Sequence, residues 1–288
     1  FFYYFNRREL TTYLTRQGAG RYKLTKDTLS KMPVPLPPLP EQNKIATILS
    51  TWDTAIAKTQ EIIRQLQERN RGLMQELLRP KEGWEKIELG QLGHTFNGLS
   101  GKSKEDFGTG KRFITYLNIF NNFKIDITDV GYVKIGETES QNKVQFGDIF
   151  FTISSETPNE VGMTSVLLDT PEEMYLNSFC FGFRLKDFNL LKPEFAAYYL
   201  RCQSFRKKLN VLAQGATRFN LSKSQVLKLM VELPNVEDQL NISKILDNCT
   251  LEVKLQQNHL TTLQTQKKGL MQKLLTGAIR VKLNQETT

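Results

Sequence analysis

Between Glu41 and Leu78 large apolar residues recur in alternating steps of four and three: Ile45, Leu49, Trp52, Ile56, Ile63, Leu66, Leu73 and Leu77, with Thr59 and Asn70 as the polar interruptions. That spacing is a heptad seam, narrower than the apolar stripe of an ordinary surface helix. It predicts one long helix over 41–80. The pattern returns 197 residues later as Ile242, Leu246, Cys249, Val253, Leu260, Leu263, Leu270 and Leu274, interrupted at Gln256 and Lys267. A second long helix is predicted from about Val236 to Leu275, with Gly277 as its C-cap. Asn70 and Lys267, polar at seam positions, are expected to help fix register.

The repetition is not confined to the seams. Gly18, Arg21, Leu24 and Lys26 recur as Gly215, Arg218, Leu221 and Lys223, and Pro37 recurs as Pro234. Glu41-Gln42 returns as Asp238-Gln239, and Gly72-Leu73-Met74-Gln75 as Gly269-Leu270-Met271-Gln272. Coincidence in loops as well as helices predicts an internal duplication with an offset of 197. Solenoid repeats are about 20–50 residues long, so the expected unit is a whole domain followed by a helix.

Outside the helices the texture changes. From Trp84 to Phe188, β-rich runs such as Phe113–Phe120, Asp148–Ile153 and Met174–Phe183 alternate with Gly, Asn and Asp turns. Lys192–Leu212 reads as a helix with Phe195, Tyr198, Tyr199, Cys202, Phe205 and Leu209 on one apolar face. Before the first long helix, Phe1–Leu14 reads as an aromatic helix, Gln17–Gly20 as a glycine loop, and Leu36–Pro40 as extended, because proline disfavours helix at itself and at the preceding residue. The fold class is therefore α/β (α+β): a mixed domain plus two long antiparallel coiled-coil helices. Antiparallel pairing is expected because the intervening domain links the end of one helix to the start of the next. The expected divisions are 1–40, the C-terminal remnant of a first domain; 41–80, the first long helix; 81–235, the second domain; and 236–288, the second helix and tail. On this repeat the counterpart of Trp84 falls before Phe1, so most of the first domain is expected to be missing.

Charge bears on partners. Thirty-nine Lys and Arg against thirty Asp and Glu leave a net charge of +9, which favours a polyanion. Cys180, Cys202 and Cys249 form no disulfide or metal framework, so a reducing compartment is expected. No apolar run long enough for a membrane span and no secretory signal are apparent, which points to a cytoplasmic setting without a membrane partner.

Catalytic patterns in the sequence are weak. Gly98–Ser103 ends like a phosphate-binding loop, but Phe96 stands where its first glycine belongs, so it reads as a basic turn. His94 and His259 lack ligand spacing, and no metal site is expected. Asp148 and Glu156 flank a predicted strand without the lysine that a nuclease carboxylate pair would need, and no Asn-Pro-Pro-Tyr or Asp-Pro-Pro-Tyr stretch of an amino-methyltransferase occurs. The chain is expected to be non-catalytic and to bind no cofactor itself. What remains is polar and basic: Lys102, Lys104, Lys111 and Arg112 around a glycine-rich loop, and Asn118, Asn121, Asn122 and Lys124 after a predicted strand. Gln214, Thr217, Arg218 and Asn220 lie in the repeated glycine loop, and Arg21 and Lys23 lie in its first copy. Arg, Asn and Gln read base edges, and Lys holds phosphates. These fourteen residues are the candidate DNA contacts.

Taken together, the sequence resembles the specificity subunits of type I restriction–modification enzymes. The resemblance rests on Leu36-Pro37-Pro38-Leu39-Pro40-Glu41-Gln42-Asn43-Lys44-Ile45-Ala46, on Gly72-Leu73-Met74-Gln75 with Leu77-Leu78, on Gly269–Gly277, and on Trp84-Glu-Lys-Ile-Glu-Leu89-Gly90 opening the domain. It implies two target-recognition domains, each reading half of a split double-stranded DNA target, held by two antiparallel helices. It further implies docking of methyltransferase subunits, two in number, and of a restriction and translocase subunit. S-adenosylmethionine, ATP and Mg²⁺ would then sit on those partners, and adenine methylation and ATP-dependent cleavage would be theirs. The alternatives are a structural coiled-coil adaptor without sequence-specific DNA binding, and a fused enzyme.

Overall fold

The computed structural model describes residues 2–5, 15–17, 21–23, 25–32, 34–213, 215 and 219–282. The chain opens with α1 (Phe2–Phe5), a hairpin of β1 (Thr15–Gln17) and β2 (Arg21–Lys23), and α2 (Lys26–Ser30), capped by the Thr25 hydroxyl. Of the expected Phe1–Leu14 helix, residues 6–14 lie outside the described residues. The long α3 (Leu39–Leu77) follows. It starts two residues earlier than expected, with Pro40 in its first turn. There a proline forfeits no hydrogen bond, because the first N–H groups of a helix have no partner in it.

Then come β3 (Glu85–Glu88), α4 (Leu89–Leu92), β4 (Gly93–Asn97), β5 (Phe107–Ile114), α5 (Tyr116–Asn121) and β6 (Gly131–Val133). After them lie β7 (Ile149–Thr152), β8 (Ser154–Ser155), β9 (Thr164–Val166), β10 (Met174–Leu176) and β11 (Cys180–Leu185). The run ends with α6 (Pro193–Tyr199), α7 (Gln203–Leu212), β12 (Phe219–Asn220), α8 (Lys223–Leu227), β13 (Met230–Leu233) and α9 (Val236–Leu275). Long helices and mixed sheets make the fold α+β.

Three expected runs are broken, each by a local device. Phe113–Phe120 is not one strand: the Thr115 hydroxyl accepts from the Asn118 N–H at 3.2 Å and starts α5. Met174–Phe183 is two strands, because the Asn177 side chain accepts from the Phe179 N–H at 2.8 Å and turns the chain between them. Lys192–Leu212 divides where Cys202 takes an extended conformation ahead of α7. No proline or glycine marks that break.

The chain divides into two compact units, residues 1–68 with 251–288, and residues 69–250. Both long helices contribute to both units, so the boundaries fall inside helices.

In the second unit a four-stranded antiparallel sheet runs β4-β11-β7-β9. One face (Ile149, Phe151, Phe181, Phe183) packs on Phe195, Tyr198, Tyr199, Phe205 and Leu209 of α6 and α7, with Phe151 and Phe181 stacked at 4.9 Å. The other (Phe150, Cys180) packs on Ile114, Met174 and Leu176 of the β10-β5-β6 sheet. Burial on both faces explains the unbroken apolar texture of β7 and β11. Gly182 of β11 makes room for the Phe96 ring of β4, since a Cβ there would lie 2.0 Å from that ring. Met74, Leu77, Ile242 and Leu246 from the long helices join this core, as does Leu78 just past the end of α3. Here Asn70 Nδ2 donates to the Cys249 carbonyl at 2.9 Å.

In the first unit α3 and α9 also run antiparallel: Ile45 and Leu49 pack with Leu270 and Leu274, and Lys267 pairs with Asp53. The Arg280 guanidinium grips Glu41 with two hydrogen bonds, of 2.8 and 2.5 Å. Across the two units the seam positions Ile45, Leu49, Ile63, Leu246 and Leu274 are buried. Trp52, Ile56, Leu66, Leu73, Leu77, Ile242, Val253, Leu260, Leu263 and Leu270 are half-buried.

Candidate nucleic-acid interface

The strands of the antiparallel sheet present two ends. At one, Gly147 and Pro193 meet around the Phe188 ring. At the other, β4 ends at Asn97, β11 begins at Cys180, β7 ends at Thr152 and β9 begins at Thr164. The second end gathers the loops 98–103, 153–163 and 177–179. It is joined by β12, which pairs with β8 through Phe219↔Ser155 and Asn220↔Ser154, and by α5, whose Tyr116 hydroxyl donates to the Ser154 carbonyl at 3.1 Å. Loops far apart in sequence thus share one rim. Phe179 and Leu117 are exposed on it, as are Asn121 and Asn220.

Two half-buried arginines hold the rim in shape. Arg206 donates to the Gly162 and Asn159 carbonyls at 2.6 and 2.7 Å, fixing the loop between β8 and β9. Arg201 donates to the Phe120 carbonyl at the end of α5 and lies 4.8 Å over the Phe123 ring. Burial, reinforced by the neighbouring Arg206 charge, lowers the Arg201 pKa to about 10; burial lowers that of Arg206 as well. Sequence reading missed both. The available signal was two cations at Arg201 and Arg206 amid the apolar face of Lys192–Leu212.

The fourteen candidate DNA contacts fare unequally. Asn118 is fully buried: its amide donates to the Asp126 carbonyl at 2.8 Å and also to that of Asp129, so it holds the 126–129 turn and meets no solvent. The Lys102 side chain is only 7% exposed and pairs with Glu139. These two are corrections, because a desolvated, paired group cannot meet a duplex without breaking the fold. Arg112 donates to the Ile127 carbonyl, Asn122 to the Asn118 carbonyl, and Lys124 pairs with Asp247. Lys111 shares Glu173 with Lys143, and the two lysines hold that carboxyl's pKa down at about 2. Lys104 and Asn121 are exposed, as are Asn220 and Lys23. Gln214, Thr217 and Arg218 lie outside the described residues, as does the side chain of Arg21. Of the clusters, α5 and the 219–220 end of the glycine loop come together at the rim, whereas Lys111 belongs to a separate ion-pair network with Glu173.

Gly98–Ser103 also has a structural explanation. A Cβ on Gly98 would lie 2.0 Å from the Asn177 carbonyl, so glycine is needed for close approach of the two loops.

A profile of the type I restriction modification DNA specificity domain matches residues 1–68 and 81–265. The chain belongs to this family. It is 27% identical over 283 residues to the type I restriction enzyme MjaVIII specificity subunit of Methanocaldococcus jannaschii, covering 92% of this chain and 66% of that one. To the putative MjaX specificity subunit of the same organism it is 24% identical, covering 97% and 67%. The chain spans about two thirds of the length of these curated relatives. Among solved structures, a chain from work on complex assembly and conformational transition of the type I R-M system superposes with a TM-score of 0.59 at 20% identity, covering 91% of this chain and 66% of that one. The HsdS subunit from Thermoanaerobacter tengcongensis gives 0.50 at 19%, covering 96% and 68%. These likenesses establish the specificity-subunit fold. No helix among the described residues is long and apolar enough to cross a membrane.

Proposed function

We propose that this specificity-domain chain is the DNA-reading part of a type I restriction–modification complex. Its second unit reads one half of a bipartite duplex target at the loop rim, and its helices scaffold partner subunits. The observation that carries the reading is the rim itself: one end of an antiparallel sheet where Asn121 of α5 and Asn220 of β12 are exposed, with Arg201 holding the end of α5 and Arg206 the neighbouring 153–163 loop. Lys104, which is exposed, is assigned to phosphates. Gln214, Thr217 and Arg218, next to β12, are assigned to base edges, and Arg21 and Lys23 to the matching half of the first domain. The internal duplication supplies the logic of two half-sites.

Two methyltransferase subunits and a restriction subunit are assigned to the outer helix faces. There the seam does not account for Ile62, Leu251 and Leu255, which are exposed. S-adenosylmethionine, ATP and Mg²⁺ belong to those subunits, in the cytoplasm, and the assembled complex methylates adenine and cleaves DNA.

Titrating duplex DNA at two salt concentrations tests the reading. Log affinity should fall with log salt at a slope of about −0.9 per phosphate neutralised; a slope near zero would favour the adaptor alternative. Arg218→Ala should weaken a specific duplex by about 1–3 kcal/mol if Arg218 contacts a base in two places. An equal loss on random duplex would assign it to phosphate. Arg206→Met should blur sequence preference while leaving the salt slope intact, because Arg206 holds the loop and touches no DNA.

A further inference from the structure

The first unit contains an open, largely apolar cavity of about 270 Å³ beside the start of α3. Tyr3, Tyr4, Pro35, Leu36, Ile45 and Leu274 are among its walls. Leu36 is 70% exposed, and Leu39 beyond it is 67% exposed.

The corresponding place in the second unit is filled. At the spacing of 197, Val34, Leu36 and Pro37 match Val231, Leu233 and Pro234; Gln42 matches Gln239; and Leu274-Leu275 match Leu77-Leu78. One hydrogen bond is common to both. Gln42 Nε2 donates to the Pro37 carbonyl at 2.7 Å, and Gln239 Nε2 to the Pro234 carbonyl at 2.9 Å. In the second unit β3 lies along β13, placing Ile87 against Val231 and Glu85 against Leu233. Trp84, just ahead of β3, sits 6.4 Å from both Phe195 and Tyr199. In the first unit no strand among the described residues pairs with 34–36, and a tyrosine pair, Tyr3-Tyr4, lines the hole.

Pro35 does not close this edge. Its counterpart Glu232 donates its N–H to the Tyr199 hydroxyl at 2.8 Å instead of to β3. In an antiparallel ladder the bonded pairs alternate, so Val231 and Leu233 carry the bonds to β3. Their counterparts Val34 and Leu36 keep those N–H groups, and proline removes only the one the ladder does not use.

We propose that the first unit binds, by strand addition along residues 34–36, a tryptophan-led extended segment of the Trp84-Glu-Lys-Ile-Glu-Leu89 type that lies outside residues 1–288. The indole fills the cavity beside Tyr4, and the backbone pairs with Val34 and Leu36. The chain's own last residues, Lys-Leu-Asn-Gln-Glu-Thr-Thr from Lys282, carry no aromatic ring and one leucine, and do not match that pattern.

The probe is a fluorophore-labelled synthetic peptide with the sequence of residues 84–92, titrated by anisotropy with the full 288-residue chain. Saturable binding is expected. Alanine in place of the peptide's tryptophan should weaken it at least about tenfold, as removal of a buried aromatic anchor does. Leu36→Asp in the protein should do the same; Leu36 is exposed, so this change spares the core. Leu36→Pro, which deletes one ladder N–H, should also weaken it. Absence of saturable binding would overturn the proposal. Binding that appears only in a Leu283→Asp chain would overturn it too, by placing the chain's own tail in the cavity. Dispersal of a self-associated form by the peptide would equally overturn it, in favour of a second copy.

Discussion

Each unit holds a tyrosine, an aspartate and a lysine in the same relation, and the source of the lysine differs. In the first, Tyr3 donates to Asp53 at 2.7 Å, and Lys267 pairs with that aspartate while lying 5.3 Å over the Tyr3 ring. In the second, Tyr198 donates to Asp247, and Lys124 pairs with it and lies 5.4 Å over the Tyr198 ring. Both cations gain from the carboxylate and from the ring face. Lys267, however, comes from the facing long helix, so its triad ties helix to helix. Lys124 comes from the loop between α5 and β6, so its triad ties the sheet domain to the helix. At the seam position matching Lys267 stands Asn70, bonded to the Cys249 carbonyl. One polar seam position thus serves an ion pair in one unit and a neutral hydrogen bond in the other.

The largest test of this contrast is in the cores. Leu49 and Leu246 match at the spacing of 197 and are 0% and 2% exposed. Truncation of a buried leucine to alanine costs about 2–5 kcal/mol. Leu246 lies in the large core shared with α6 and the sheet, and Leu49 in a small one of helix residues and Tyr3. Leu246→Ala should therefore fall at the upper end of that range and Leu49→Ala at the lower, where the site collapses more easily. Denaturant melts of single-tryptophan variants would read this, with Trp52 reporting on the first unit and Trp84 on the second. Equal losses would mean the two cores are equally rigid.

Next in size is Asn70→Ala. It removes a hydrogen bond whose net worth is about 0.5–1.5 kcal/mol and leaves the Cys249 carbonyl without that donor. The loss should register at Trp84 and leave the Trp52 signal in place. Smaller again are Asp53→Asn and Asp247→Asn. Both carboxylates are 40% or more exposed, so solvent screening limits each ion pair to roughly 0.2–1 kcal/mol. High salt should erase most of the difference from wild type in both variants. A salt-independent loss would assign the effect to the tyrosine hydrogen bond.

How far the sequence revealed these features depends on where the partner of each residue lies. The seams were legible because a heptad repeat is local and sustained, and Val236–Leu275 is the helix that period predicts. The apolar face from Phe195 to Leu209 was legible for the same reason, although the break at Cys202 carried no proline or glycine to announce it. The candidate contacts were legible only as residue types. Lys102, Lys111 and Lys124 all look like free cations in sequence. Their carboxylates, Glu139, Glu173 and Asp247, lie 37, 62 and 123 residues away, and no local pattern points to them. Asn118 misled for a related reason: its buried amide holds a turn at 126–129 that the strand reading of Phe113–Phe120 did not allow. The rim was legible only in part: the polar stretches around Asn121 and Asn220 stood out as residue types, but the surface on which they meet exists only once four strands are in register.

The smallest effect lies in the titration of the two tyrosines, and its sign follows from their settings. The Asp53 carboxylate, through a hydrogen bond, then burial, then its charge, pushes the Tyr3 pKa up to about 12. Burial first, then the bond to Asp247, pushes that of Tyr198 higher still. An unfolded tyrosine titrates near about 10. A folded value above the unfolded one means stability that is fully present below about pH 10 and is lost as pH rises through the folded value. Conversely, Lys267 and Tyr3 lower the Asp53 pKa, so its contribution is present above the unfolded carboxylate value and is lost as pH falls through the folded one. Tyr3→Phe should therefore remove one phenol that ionises near pH 12 in the tyrosinate absorbance, and it should make the first unit less sensitive to both alkali and acid. Tyr198→Phe should remove less absorbance than Tyr3→Phe over the same range, because burial holds its phenol protonated to higher pH. If both variants removed equal absorbance between pH 10 and 12, Tyr198 would be as open to solvent as Tyr3, and the helix-to-helix and domain-to-helix triads would not differ in kind.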